Sequence, residues 1–540
     1  MPAPKLLATT WRPFAACALL VFSFNAFAAL PPGITQGATV DGLTEYSLAN
    51  GLRVVLFPDR SRPKTTVNVT YLVGSRMENY GETGMAHLLE HMVFKGTPTS
   101  GNIMSALAQR GMNFNGTTSF DRTNYFETFT ASDDNLDWAL AMEADRMVNS
   151  KVARADLDTE MTVVRNEMEM GETDPIRVLD KRTLAAGFDW HNYGKSTIGA
   201  RADVERVDIA RLQAFYRNYY QPDNAVMVIA GAFDPDKALA LVAKYFGPIP
   251  KPTRTLLKLY TDEPVQDGDR QVVVRRVAST QWLSALYHTV PGAHPDAVAL
   301  DAAVSIMTIT PGGRLYTALV ETKKASGVDE NSYLTGYDPG YAMFLVQVPE
   351  TDSIEAARVA MLQTVEGVRQ QPITAAELDR VRAKTLKDID ETLNDPQRLG
   401  IALSSAIAAG DWRLYFLWRD QWRKVTTADV DRVAIAYFKA ANRTVGEFIP
   451  DAAPDRSPTP PTVDIPALVK DYKGDAAIAA GEAFDATPSN LDARAQRFTL
   501  ANGMKVVLLP KKTRGETVNF ALRLRYGDVI TVAGKSGPAR

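Results

Sequence analysis

The chain has 540 residues, 45% of them hydrophobic and 23% charged, with a formal net charge of −3. That length calls for several domains, and the composition is that of a soluble globular protein. A balance this close to neutral gives no reason to expect nucleic acid or an anionic membrane surface as partner.

The first element reads as a targeting segment. Lys5 and Arg12 flank the start of an apolar run, Pro13–Ala29, that is short for a membrane span and ends in small residues. Ala26-Phe27-Ala28 fits an A-x-A cleavage site, so residues 1–28 are read as a signal peptide cleaved after Ala28. The mature protein is then periplasmic or secreted, bacterial, and free of the membrane; an uncleaved anchor helix is the alternative. Cys17, the only cysteine, lies inside this segment, so the mature chain has no disulfide, thiol nucleophile or thiolate ligand.

Leu48–Pro58, "LANGLRVVLFP", predicts a strand, a tight Asn-Gly turn and a second strand. Next, "GMAHLLEHMVFKGT" predicts a helix over 84–95: Met85, Leu88, Leu89 and Met92 give the apolar spacing, and Gly96 a stop. It carries two of the chain's five histidines, His87 and His91, one turn apart with Glu90 on the same face. Imidazoles at i and i+4 can bind one Zn²⁺, which takes a third protein ligand and leaves a position for water, and Glu90 can take a proton from that water. The plain reading is two solvent-facing histidines on an amphipathic helix. Asn115-Gly116-Thr117-Thr118 precedes an alternating stretch with little apolar bulk. It is either an ordinary surface strand or a sheet edge to which a peptide adds as a further strand.

A long helix follows, Ala155–Glu172. Glu160 and Glu167 are two turns apart and share the face of Leu157 and Val164, while Glu169 points nearly the opposite way. An inward carboxylate needs a cation or hydrogen bonds, which makes Glu167 the candidate third ligand and Glu160 a nearby carboxylate. His191, in "DWHNYGKSTIG", is the rival ligand and is read as structural; His288 and His294 carry no spacing signal. Gly312-Gly313 lacks the Lys-Ser/Thr of a phosphate loop.

Val207–Ile229 resembles Thr426–Ile449: each is a capped helix, an aromatic pair, an asparagine and an apolar strand. Two related domains are expected, 29–265 and 266–450. Residues 451–495 open with proline-rich extended backbone and read as a linker. Then Leu500–Pro510, "LANGMKVVLLP", repeats the first hairpin with eight of eleven residues identical. This predicts two large homologous halves, with 496–540 the start of a third domain that opens a truncated second half. Strands at Val506–Leu509 and Val518–Leu524 are expected to be poorly paired.

H-x-x-E-H inverts the common zinc-protease order, and "HLLEHMVFKGT" closely resembles the active-site helix of the pitrilysin family, which includes insulin-degrading enzyme and mitochondrial processing peptidase. The family's ligand glutamate follows the second histidine by about 76 residues, as Glu167 follows His91, and a second glutamate stands seven earlier, as Glu160 does. The resemblance covers at least residues 45–450. It implies an α+β fold: two related sandwich domains forming the first half of a clam-like, two-half metallopeptidase, plus the start of a second half. It implies one Zn²⁺ per chain on His87, His91 and Glu167, catalytic roles for Glu90 and Glu160, and substrate contacts at Asn115, Gly116 and Thr117. The expected function is a zinc endopeptidase acting on peptides or unfolded segments, completed by a second homologous half. A non-catalytic assembly subunit of the same fold is the alternative.

Overall fold

The Asn-Gly hairpins set the pattern for how local sequence becomes structure here. In the computed structural model, which describes residues 30–475, 477–528, 530–531 and 533–534, both form as the sequence predicts. The expected signal peptide, 1–28, lies outside the described residues. Contacts divide the chain into two compact units, Met1–Asp455 and Arg456–Arg540.

The first unit holds two sheets. One contains β1 (Ile34–Val40), β2 (Leu43–Leu48), β3 (Arg53–Pro58), β4 (Lys64–Tyr71), β5 (Asn113–Thr118), β6 (Thr123–Thr130) and β7 (Ala225–Gly231), in the order β1-β2-β3-β7-β4-β6-β5. The other contains β8 (Arg270–Arg276), β9 (Thr280–His288), β10 (Gly327–Glu330), β11 (Tyr341–Pro349) and β12 (Arg443–Pro450), in the order β10-β11-β9-β12-β8. The second order repeats the last five strands of the first. β7 and β12 each run parallel to one neighbour, β3 or β8, and antiparallel to the other, β4 or β9. The asparagines singled out in the sequence repeat act alike. Asn224 Nδ2 donates to Tyr219 O at 3.0 Å, and Asn442 Nδ2 donates to Tyr437 O at 2.9 Å. Each thereby ties a helix C-terminus to the strand that follows.

The two sheets interlock through exchanged helices. Helix Pro396–Ala408 lays Leu399, Leu403 and Ile407 on Val55, Val226 and Val228 of the first sheet. Helix Pro175–Gly187 lays Leu184 on Leu286 and Met343, and Leu179 beside Phe448, of the second. Burying each such leucine contributes about 1.5–3 kcal/mol. Because β7 is covered on both faces, its sequence AVMVIAG runs apolar without alternation, and every residue is buried.

In the second unit, β13 (Gln496–Thr499) pairs with β14 (Lys505–Leu508). Its turn copies that of β2–β3: Gly51 N–H donates to Leu48 O at 3.0 Å and Gly503 N–H to Leu500 O at 2.8 Å, with both glycines at positive φ. The expected strand over 506–509 forms over Lys505–Leu508 and, among the described residues, pairs on one side with β13 alone, whereas Val518–Leu524 has no regular structure. Its alternating Val518, Phe520, Leu522 and Leu524 are exposed, and a strand without a hydrogen-bonded neighbour is not stable in water.

Candidate metal centre

The histidine helix spans Met85–Met92 and buries Met85, Ala86, Leu88, Leu89 and Met92. Its start is shaped by Gly84, at φ 91, where a Cβ would meet Ile198 O at 2.6 Å. Glu78 closes the same end: its carboxylate accepts the N–H groups of Gly84 and Ala86, both at 2.9 Å. The apolar face thus fixes the rotation of the helix, and His87, Glu90 and His91 are left on the other side.

The long helix runs from Arg154 to Thr173 with Leu157, Glu160, Val164 and Met168 buried. It brings Glu167 Oε2 to 3.7 Å from His87 Nε2 and 3.6 Å from His91 Nε2. One ligand atom from each of the three residues lies within 4.8 Å of the others. Ligand atoms of tetrahedral zinc, each about 2.0–2.2 Å from the ion, sit roughly 3.4 Å apart. Two imidazoles and one carboxylate at these separations fit that ion. Burial, with His91 adjacent, lowers the pKa of His87 to about 4, so it is neutral and able to ligate at neutral pH.

Glu160 does not join the three. Its Oε1 accepts a hydrogen bond from His91 Nδ1–H at 2.8 Å, and its other oxygen pairs with Lys95. That bond puts the proton on Nδ1 and leaves Nε2 of His91, which faces Glu167, with its lone pair free to ligate a metal ion. Burial alone would raise the pKa of Glu160, but the Lys95 and His91 hydrogen bonds bring it below the ordinary value. Glu169 is turned away and pairs with Arg201 at 3.3 Å. Glu90 accepts from Thr118 Oγ1 at 2.5 Å. Burial raises its pKa, opposed by Thr118 and His91 and assisted by Glu167.

Asn115, Gly116 and Thr117 lie in β5, the last strand of its sheet, which among the described residues pairs only with β6. A Cβ on Gly116 would stand 3.0 Å from Glu90 Cγ and 3.2 Å from rings of Phe94 and Tyr125. The free edge therefore passes directly beside Glu90. Asn115 is exposed; Thr117 bonds to Asn124 at 2.5 Å.

His191 is elsewhere, buried, its Nε2–H donating to Asp338 Oδ2 at 3.1 Å. Sequence reasoning missed Thr118, Lys95 and Glu78, whose partners are set by tertiary packing. Lys95 sits in the quoted motif, but only the fold brings Glu160 to it.

The family model described as Insulinase (Peptidase family M16) matches residues 53–201, and the Peptidase M16 inactive domain matches 206–385. Zinc protease PqqE of Helicobacter pylori is 28% identical over 404 residues, 74% of this chain and 90% of that protein. A probable mitochondrial-processing peptidase subunit beta of Arabidopsis thaliana is 31% identical over 261 residues, 47% of this chain and 48% of that protein. The chain thus matches nearly all of the former and about half of the latter. Among solved structures, a protease from Helicobacter pylori matches with a TM-score of 0.72 and 27% identity, covering 76% of this chain and 99% of that one. The first half of the periplasmic protease PqqL from Escherichia coli matches with a TM-score of 0.62 at 21% identity, covering 77% and 94%, a likeness of fold. Fold and donor set together define the class: the α+β fold of the M16 peptidases, with a histidine helix whose donors are spaced to fit one metal ion. The chain belongs to peptidase family M16, the pitrilysin family that the H-x-x-E-H helix resembles.

Proposed function

We propose that the protein is a zinc-dependent endopeptidase that hydrolyses peptides or unfolded protein segments. The observation that carries this is the meeting of His87, His91 and Glu167 with Glu90 alongside, at the free edge of β5. His87, His91 and Glu167 would hold one zinc ion, which supplies Lewis acidity toward the scissile carbonyl and the attacking water. Glu90, its pKa raised by burial, takes the proton of that water and returns it to the leaving amine. Thr118 orients the Glu90 carboxylate, and Glu160 orients His91. The substrate pairs as a strand with β5, where backbone recognition at Asn115, Gly116 and Thr117 suits broad specificity.

The matching strand orders support a zinc-binding domain at 29–265 and a non-catalytic homologous domain at 266–450. The repeated hairpin supports a linker at 451–495, a third domain opening at 496, and a second homologous half closing over the peptide. The A-x-A site at Ala26–Ala28 supports export to the periplasm. A non-catalytic assembly role is disfavoured, because His87, Glu90, His91 and Glu167 are all present.

The test is zinc content together with cleavage of an unfolded peptide by the wild type and by Glu90→Gln. About one zinc in each, with turnover several orders of magnitude lower in the variant, is expected. A zinc-loaded wild type that leaves unfolded peptides intact overturns the reading.

A further inference from the structure

Arg122 lies in the turn between β5 and β6, and it differs from the other sequestered arginines. Arg76 pairs with Asp121, Arg146 with Glu143 and Arg419 with Asp41. Arg122 instead donates from Nη1 to two neutral oxygens, Thr117 Oγ1 at 2.7 Å and Asn124 Oδ1. Among the described residues no carboxylate comes within ion-pair distance of it; Glu90 acts on it only from farther away. Taking a guanidinium out of water without a counter-charge is costly, and a carboxylate that docks on it recovers that cost.

The pleat of β5 says where such a carboxylate would come from. Gly116 and Thr118 face Glu90. Successive side chains alternate, so Asn113, Asn115 and Thr117 face the other side, where Asn113 meets Gln397 and Thr117 meets Arg122. The register agrees: Thr117 stands opposite Asn124, and Asn124 opposite Thr70. That face is a polar strip, with Asn124 Nδ2 donating to Asn68 Oδ1 at 2.6 Å and Asn68 Nδ2 to Thr70 Oγ1 at 3.1 Å. A peptide laid along the free edge of β5 alternates in the same way. One set of its side chains points to the Glu90 side and the other to the strip that holds Arg122. Thr118, bonded to Glu90, and Thr117, bonded to Arg122, are consecutive residues, one strand rise of about 3.4 Å apart. The side chain that meets Arg122 therefore belongs to a residue within about two positions of the bond presented to Glu90.

We propose that Arg122 is a specificity-determining residue that selects peptides carrying an aspartate or glutamate side chain within about two residues of the scissile bond. This rests on the peptidase reading and adds a substrate class to it: acidic rather than basic segments. Thr117 and Asn124 hold the guanidinium in place, so its remaining N–H donors are ready for a bidentate carboxylate.

The test uses an unstructured peptide, acetylated and amidated so that it has no terminal charge, with a single Glu walked through successive positions and a Gln counterpart for each. Binding is read by fluorescence anisotropy with the zinc-loaded full chain bearing Glu90→Gln, so that affinity is measured without cleavage. Cleavage is read with the wild type. At the favoured position Glu should bind at least about tenfold more tightly than Gln, as expected of a charge-assisted bond. The preference should weaken steeply with salt. It should vanish when Arg122→Gln is added and survive in part with Arg122→Lys, both variants being compared only between paired peptides. Equal binding of Glu and Gln peptides at every position, or a preference that persists in Arg122→Gln, overturns the proposal whether or not the peptides are cut. Discrimination in binding with no cleavage by the wild type instead overturns the peptidase reading and leaves the acidic site standing.

Discussion

Glu160 Oε1 accepts a 2.8 Å hydrogen bond from Nδ1 of His91, while His91 Nε2 lies 3.6 Å from Glu167. One glutamate thus orients the ring that the other meets, and Lys95 in turn holds Glu160. Partners of this kind, one shell out from a ligand, are typically worth about 10–100-fold in metal affinity. Lys95→Met should weaken zinc binding by about tenfold, with Lys95→Arg recovering most of it. Glu160→Gln should reduce activity while still loading zinc at excess metal. Isothermal titration with Zn²⁺ in a competing chelator checks both; an unchanged affinity in Lys95→Met would remove Lys95 from the relay.

The neighbouring glutamates of the long helix separate cleanly by face. Glu167→Gln should lose most bound zinc, because it takes the anionic donor out of the proposed site. Glu169→Gln should lose none, because that side chain is exposed and its partner is Arg201. Metal analysis after dialysis decides this, and equal loss in the two variants would contradict the arrangement.

Gly116→Ala tests how closely the free edge approaches Glu90. The added methyl would sit 3.0 Å from Glu90 Cγ, tighter than ordinary van der Waals contact. It should push the carboxylate from its Thr118 bond and lower kcat by at least about tenfold, since small misplacements of a catalytic group are costly. Zinc content should stay the same. Loss of zinc along with activity would mean that the whole helix had moved.

How much of this was legible in the sequence follows the range of the interactions. The Asn-Gly hairpins and the histidine helix are local, and the sequence states them; the helix ends three residues before the expected 95, because the turn at Gly96 begins earlier. The two-turn spacing of Glu160 and Glu167 is also local, so their shared face could be read. Which of them stands beside the Nε2 atoms of both histidines could not be read from spacing alone, because that depends on how two helices far apart in the chain are docked. The helix exchange was invisible for the same reason: Leu184 and Leu403 are amphipathic-helix residues wherever they pack, and no local signal says on which sheet. Arg122 carries no local signal: only the pairing of β5 with β6 sets its guanidinium against two neutral oxygens, Thr117 Oγ1 and Asn124 Oδ1.

Beneath the histidine helix, Arg146 is fully buried between two carboxylates, with its guanidinium over the Tyr125 ring at 4.5 Å. Its Nε–H donates to Glu143 at 3.1 Å, whereas Glu127 is 3.9 Å away and neither of its oxygens has a hydrogen-bond partner. One arginine cannot neutralise two buried anions. Burial, reinforced by Glu143 and only partly offset by Arg146, raises the pKa of Glu127 well above its ordinary value. A carboxyl whose folded pKa lies above its unfolded value, about 4.3, contributes stability that is complete below that value and is lost as pH rises toward the folded pKa. Glu127→Gln removes this titration. Relative to wild type, the variant should gain stability between pH 5 and pH 7, by at most about 1.4 kcal/mol per pH unit. The constant cost of placing an amide beside Arg146 cancels in that comparison. Urea unfolding of both proteins at the two pH values measures it. If the difference between the two proteins instead stayed flat from pH 5 to pH 7, Glu127 would be an ion in the folded state and Arg146 its counter-charge.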